Sequence, residues 1–356
     1  MNIPIESNGY SSVHCYDEWT PLKEVFLASV LGANHTVDAT FRCFYGKTNV
    51  GSDVHHFSLS DDLIYRRQAE FQGLKTVLES RGVVVREQQG YEFLTPFSTP
   101  YWKAYSRPSD NPRDQLIVLG DTIVETPPII RSRYFENDAW KPHLYGYFSA
   151  GSRWITAPRP VLNADSFDPP LEPDCETPLK IGTPEILFDA AQIFKVGLDV
   201  LMNVRNTNDH LGFQWVRREF PQYRWHAVNL GPNSDHIDGE LAILRPGLLL
   251  VGHRLIGKID LLPDFMQSWD VVPMLDREEH NYGLQLASDN IYINVLSLDE
   301  NTVIISEDAH ITIRNLERKG IECIRIPFHD STAFGGGIHC STLDIRRAGN
   351  LEDYTQ

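Results

Sequence analysis

One supersecondary pattern recurs along this chain: two short apolar runs flanking a turn, then a helical segment, then another apolar run. Asp114–Glu125 reads as a hairpin turning at Gly120-Asp121, Leu241–Val251 as a second turning at Arg245-Pro246-Gly247, and Ile291–Ser306 as a third turning at Leu298–Asn301. Apolar residues at helical spacing mark Leu63–Ser80, which stops at Gly82, and His310–Lys319, which stops at Gly320. Leu211–Phe220 and Leu261–Trp269 are shorter helical candidates. Each helix leads into an apolar run: Val83–Val85, Tyr223–Leu230, Val271–Leu275 and Ile321–Phe328. Recurrence of a hairpin–helix–strand unit predicts a repeat or pseudosymmetric α/β architecture. A doubly wound parallel sheet would instead separate its strands mainly by single helices, without hairpins. Leu94–Asp114 and the proline-rich Ala157–Pro184 interrupt the pattern and are predicted to be long ordered loops, a type often tied to function. No low-complexity linker divides the chain, so residues 1–356 are read as a single domain.

Composition narrows the function. The formal charge of −16 argues against a nucleic-acid binder, which would carry a basic patch or stripe. The five cysteines (Cys15, Cys43, Cys175, Cys323 and Cys340) are odd in number and scattered, with no CxxC, which speaks against a disulfide framework or a zinc ribbon. The N-terminus has neither a basic nor an apolar signal region, and no stretch approaches the ~18 apolar residues of a membrane span. A cytoplasmic protein with no membrane partner is therefore expected. Asp53, His55 and His56 lack further ligand spacing for a metal site.

The chemistry-bearing residues fall at the ends of units. After Ile321–Phe328 comes Gly335-Gly336-Gly337-Ile338-His339-Cys340. Glycines let a backbone approach a ligand closely, so a cysteine presented this way is placed to react; the alternative is a flexible turn followed by a buried cysteine. After Tyr223–Leu230 comes a loop carrying His236 and Asp238. Strand-end loops are where catalytic groups sit on a rigid scaffold, and a cysteine with a histidine suggests nucleophilic catalysis by a thiolate. Asp238, Asp189 and Asp114 would suit a planar cation such as a guanidinium, whose donors form a rigid fork. Read singly, His236 and Asp238 could be an Asx-type turn, Asp189 a helix cap and Asp114 the close of a turn. His339 is set aside as the base because neighbours in an extended segment point to opposite faces.

Taken in order, several segments resemble the amidinotransferase family, the arginine:glycine amidinotransferases and their antibiotic- and toxin-pathway relatives. They are Asp17–Val25, Pro112-Arg113-Asp114, Glu125-Thr126-Pro127 with Arg131–Glu136, Phe188–Ala191, His236-Ile237-Asp238 and the run from Gly335 to Arg347. The resemblance implies a pentein fold, a pseudosymmetric α/β propeller of five ββαβ modules around a central active-site channel. It implies an enzyme that moves the amidino group of L-arginine to a primary amine (glycine, lysine or a specialised-metabolite amine) through a covalent amidino-cysteine, by a ping-pong route that releases ornithine. The alternative on the same fold is an arginine deiminase or dihydrolase, in which water attacks the intermediate. By resemblance Cys340 is the nucleophile, His236 the general acid/base and Asp189 its carboxylate partner. Asp238 and Asp114 hold the guanidinium, and Arg254 and Ser288 hold the donor's carboxylate. Asp235 stands where the glycine-specific enzyme has an apolar residue, which suggests an acceptor bearing a cationic group. No metal or organic cofactor is implied, and relatives suggest a possible homodimer.

Overall fold

The computed structural model describes residues 9–30, 34–36, 56–89, 96–162, 185–231, 234, 236–279 and 286–355, without the side chains of 34–36 and 56–58. Asp235, Cys43, Cys175, the suggested metal trio's Asp53 and His55, and most of the Ala157–Pro184 loop lie outside them.

Five three-stranded sheets share one pattern among the described residues. In four of them a hairpin comes first and its second strand pairs in parallel with a third. Leu116–Leu119 pairs with Thr122–Glu125, which pairs with Arg153–Thr156. Ile193–Val196, Asp199–Asn203 and Arg224–Val228 form the next. Leu241–Arg245, Leu248–Val251 and Asp270–Pro273 follow, then Leu296–Asp299, Thr302–Ser306 and Glu322–Ile326. In the remaining sheet Leu22–Leu27 pairs in parallel with Val84–Glu87 and antiparallel with Thr342–Arg347, so the last strand of the chain completes the first unit. Parallel pairing needs a crossover, and helices supply it: Asp61–Ser80, Lys141–Ser149, Thr207–Glu219 and His310–Arg318. Ser60 caps the first through a bond from the Leu63 amide, and Asn206 caps the third.

Leu261–Trp269 departs from expectation. It forms two short 3-10 turns, Ile259–Leu261 and Asp264–Met266, with Pro263 between them. Proline has no amide hydrogen and disfavours helical geometry in the residue before it. The expected long loop at Leu94–Asp114 contains a two-stranded ribbon, Pro96–Ser98 with Lys103–Tyr105.

The hairpin strands are buried on both faces, whereas the third strand of each sheet is partly exposed, and alternate hairpin residues feed different cores. Leu116 and Val118 pack with Phe26, Trp140 and Leu343, whereas Ile117 and Leu119 pack with Ile193, Val200 and Met202. Leu241 and Ile243 share a core with Phe194 and Leu201, and Ala242 and Leu244 one with Val303 and Ile305. Ile304, Leu296 and Leu298 close the set by packing with Val25, Leu27 and Phe71 of the first unit. Each unit therefore shares a core with the next in sequence, and the last with the first.

Candidate active site

Hairpins need an entrance, and here the entrances carry the candidate side chains. Short helical turns lead into the first strands of four units: Pro112–Gln115, Ala190–Gln192, Ile237–Gly239 and Ile291–Ile293. Asp114 lies in the first, Asp189 caps the second, and His236 and Asp238 flank the start of the third. Cys340 lies in the turn just before Thr342–Arg347.

The glycine run seats that cysteine by close approach. A Cβ on Gly336 would stand 2.1 Å from Asn111 Oδ1 and 2.8 Å from Cys340 Cβ, and one on Gly337 would stand 2.8 Å from Asn294 Cβ. The Cys340 amide donates to Asn294 Oδ1 at 2.8 Å, and its thiol donates to Asp238 Oδ2 at 3.4 Å. Burial pushes the thiol pKa well above its ordinary value, and the negative charges of Asp238 and Asp114 push it further. Without a cation beside it, Cys340 rests as a thiol.

His236 stands among the same carboxylates. Its Nε2 donates to Asp189 Oδ2 at 2.9 Å, and its Nδ1 lies 3.6 Å from Asp114 Oδ1. Burial opposes its charging, but Asp114 and the Asp189 hydrogen bond outweigh burial and raise its pKa to about 9. The ring is thus an imidazolium at neutral pH. Gln115 Nε2 fixes the other Asp189 oxygen at 2.8 Å.

Asp238 and Asp114 each present one spare oxygen. Asp238 Oδ2 accepts from His339 Nδ1 at 2.9 Å and Asn294 Nδ2 at 3.1 Å, while its Oδ1 is buried with no hydrogen-bond partner among the described residues. Burial opposes ionisation of Asp238, yet the His339 bond and the charges of His339, His236 and Arg113 hold its pKa near 2. Asp114 Oδ2 accepts from Arg133 Nη1 at 2.7 Å, and its Oδ1 is likewise buried and unpartnered. Burial raises the Asp114 pKa despite His236 and Arg133. Two buried carboxylate oxygens that accept no hydrogen bond among the described residues suit a cation that brings its own N–H groups.

The structure thus brings Cys340 against Asp238 and His236 against Asp189 and Asp114, and the two groups lie close enough to feel each other's charge. Arg254 and Ser288 stand one step away. Arg254 Nη1 donates to Glu240 Oε1 at 2.9 Å, and Glu240 is two residues past Asp238. Burial pushes the Glu240 pKa to about 7 against the Arg254 charge. Ser288 Oγ accepts from the Asn290 amide, and Asn290 Nδ2 donates to Gly239 O. Asp235 lies outside the described residues.

The reason given for setting His339 aside does not hold. Residues 338–341 form a turn, so His339 and Cys340 both reach the same oxygen of Asp238. Sequence reasoning also missed Asn294, which binds both the Cys340 amide and Asp238, and Arg133, whose guanidinium joins Asp114 to the buried Glu136. Asn294 was hidden inside an apolar stretch taken for a strand. Arg133 belongs to one of the segments that carry the family resemblance, but nothing local marks it as a support. Among the described residues no three His, Cys, Asp or Glu side chains are grouped to hold a metal, and no helix is long and apolar enough to cross a membrane.

Comparison with known proteins gives the family. No family model matches the chain. It is 30% identical to the L-arginine:L-lysine amidinotransferase of Pseudomonas savastanoi pv. phaseolicola, over 97% of each chain. It is 31% identical to a putative inosamine-phosphate amidinotransferase 2 of Streptomyces griseus, over 97% of this chain and 99% of the relative. Its fold matches SxtG, an amidinotransferase from Microseira wollei in the saxitoxin biosynthetic pathway, with a TM-score of 0.85 at 31% identity, covering 96% of this chain and 99% of that one. With this likeness covering 96–97% of the chain, it belongs to the amidinotransferase family.

Proposed function

We propose that this protein transfers the amidino group of L-arginine to a primary amine through a covalent amidino-cysteine on Cys340. The observation that carries the reading is a pair of buried oxygens that accept no hydrogen bond among the described residues, Asp238 Oδ1 and Asp114 Oδ1, on the carboxylates that meet the thiol and His236. A guanidinium lodged between them supplies the missing donors and neutralises the two charges that disfavour the thiolate. Substrate binding thereby activates its own nucleophile.

In the first half-reaction the sulfur bonds to the guanidino carbon and the bond from that carbon to the ornithine nitrogen breaks. His236 donates a proton to the departing amine and recovers the one the thiol gives up, so the thiol proton leaves on ornithine. Asp189 holds the ring through Nε2. In the second half-reaction the incoming amine attacks the same carbon, the carbon–sulfur bond breaks, and His236 carries the amine's proton back to sulfur. The nucleophile, the acid/base and the anionic cradle are all side chains, so no step calls on a cofactor. We read the five units, joined in a cycle by shared cores, as the blades of an α/β propeller with this site in its central channel. Arg254, with Ser288, is our candidate holder of the arginine carboxylate, steadied by Glu240. Asp235 is our candidate selector of a cationic acceptor such as lysine, a diamine or an aminocyclitol. That selection fails if Asp235→Met leaves the ranking of acceptors unchanged.

The test of the function is product analysis with L-arginine and a panel of amines. Ornithine together with an amidinated amine supports transfer; citrulline and ammonia point to hydrolysis.

A further inference from the structure

A small cavity borders Asp238 and His339. It is lined by Glu18, Phe194, Asp238, Asn294, Ser297 and His339, among others, and not by Cys340, His236, Asp114 or Asp189. Asp238 and His339 line this cavity and also meet the thiol's surroundings. His339 Nδ1 donates to Asp238 Oδ2 at 2.9 Å, and its Nε2 lies 3.9 Å from Glu18 Oε2, a buried oxygen that accepts no hydrogen bond among the described residues. Glu18 is fixed in turn: its Oε1 accepts from the Lys195 amide at 3.2 Å and lies 3.3 Å from Lys195 Nζ, and Arg113 Nη1 lies 3.7 Å from its Oε2.

We propose that His339, held from behind by Glu18, is a positioning residue for amidino transfer: it ties down Asp238 Oδ2 so that Oδ1 is the oxygen offered to the guanidinium. This rests on the function proposed above and goes beyond it by giving a role to a side chain outside the reacting set. The geometry carries it. Asp238 Oδ2 is saturated by His339, Asn294 and the Cys340 thiol, whereas Oδ1 is bare. A carboxylate that loses its strongest anchor can turn, and its spare oxygen then no longer faces the cleft. Both ring nitrogens of His339 face carboxylates, which only accept, so the ring serves both when both nitrogens carry hydrogen. The charged and titratable groups around Asp238 are His339, His236, Arg113 and Cys340, with Asp114 and Glu18 nearby. Of these, His339 contributes most to holding Asp238 ionised.

The test is a single-turnover ornithine burst on mixing the enzyme with L-arginine alone, which needs no acceptor, followed against arginine concentration and pH. His339→Phe removes the anchor. The arginine concentration for half-maximal burst should rise roughly tenfold or more, the size expected for a hydrogen bond to a charged group. The acid limb of the profile should move to higher pH, because Asp238 then titrates nearer the working range. His339→Asn, which keeps an amide donor, should recover most of the half-saturation but not the acid limb. Glu18→Gln should move the acid limb in the same direction by less, and it carries the test should the Phe variant fail to fold. A burst in wild type with an unchanged half-saturation and acid limb in His339→Phe, or in Glu18→Gln if the Phe variant does not fold, overturns the positioning role. No burst in wild type overturns the function instead.

Discussion

The backbone amide of Cys340 donates to Asn294 Oδ1 at 2.8 Å, while Nδ2 of the same side chain donates to Asp238 Oδ2 at 3.1 Å. One amide group thus sets the spacing between Cys340 and the carboxylate beside it, and only a side chain with both an acceptor and a donor can do so. Asn294→Asp keeps the shape but replaces the donor with a charge facing Asp238. We expect it to lower kcat/KM for arginine roughly a hundredfold, the loss that follows when reacting groups slip by about 1 Å. Equal loss in Asn294→Asp and in a variant at a distant buried asparagine such as Asn208 would show that the bond is merely structural.

Asp238 and Asp114 both hold the thiol protonated in the free enzyme. Asp238→Asn should therefore have two opposite effects. Binding of arginine should weaken, with KM rising roughly tenfold to a hundredfold for a lost charged partner. Alkylation of Cys340 by iodoacetamide at neutral pH should speed up, because removing a negative charge lowers the thiol pKa. Slower alkylation in the variant would refute this electrostatic account.

The raised pKa of His236 also makes a stability claim. A group whose folded pKa is raised from 6.5 to about 9 stabilises the fold fully below 6.5 and loses that contribution as pH climbs through about 9. The thermal midpoint of wild type relative to His236→Asn should accordingly be greatest near pH 6 and shrink steadily towards pH ~9.5. A difference that grows with pH would reverse the sign and contradict the carboxylate environment.

Arg133 bridges Asp114 and Glu136, and burial pushes the Glu136 pKa to about 7 even with that guanidinium against it. Arg133→Met should cost roughly 3–5 kcal/mol in denaturant unfolding, because two buried carboxylates lose their partner. Below pH ~6 the cost should lessen as those carboxyls protonate.

Much of this was legible in the sequence, for local reasons. Three hairpins announce themselves by apolar runs on either side of turn formers, and the loop after Tyr223–Leu230 locates His236 and Asp238, whereas Asp114, read as the start of a hairpin, lies in the short helix Pro112–Gln115 just before it. The hairpin from Ile193 to Asn203 went unread because Lys195, Asp199 and Asn203 interrupt its apolar pattern. Those polar groups are tolerated inside because Lys195 meets Glu18, Asp199 meets Arg224 and His226, and Asn203 meets Ser234 and Leu230. The pairing of Leu22–Leu27 with Thr342–Arg347 joins opposite ends of the chain, and nothing in either segment names its partner. Asn294 follows the apolar turn Ile291–Ile293, which buries like a strand without being one. Sequence periodicity reports burial well and local geometry poorly, and the site depends on both.

The central claim is that sulfur 340 carries the amidino group between the two substrates. Mass spectrometry of the protein after incubation with L-arginine alone, with the acid-quenched digest mapped to single peptides, tests it most directly. The account predicts an amidino adduct on the peptide containing Cys340, stoichiometric with released ornithine, lost on adding an accepting amine and absent in Cys340→Ala. Full turnover with Cys340 never modified, or ornithine release by Cys340→Ala, would contradict it.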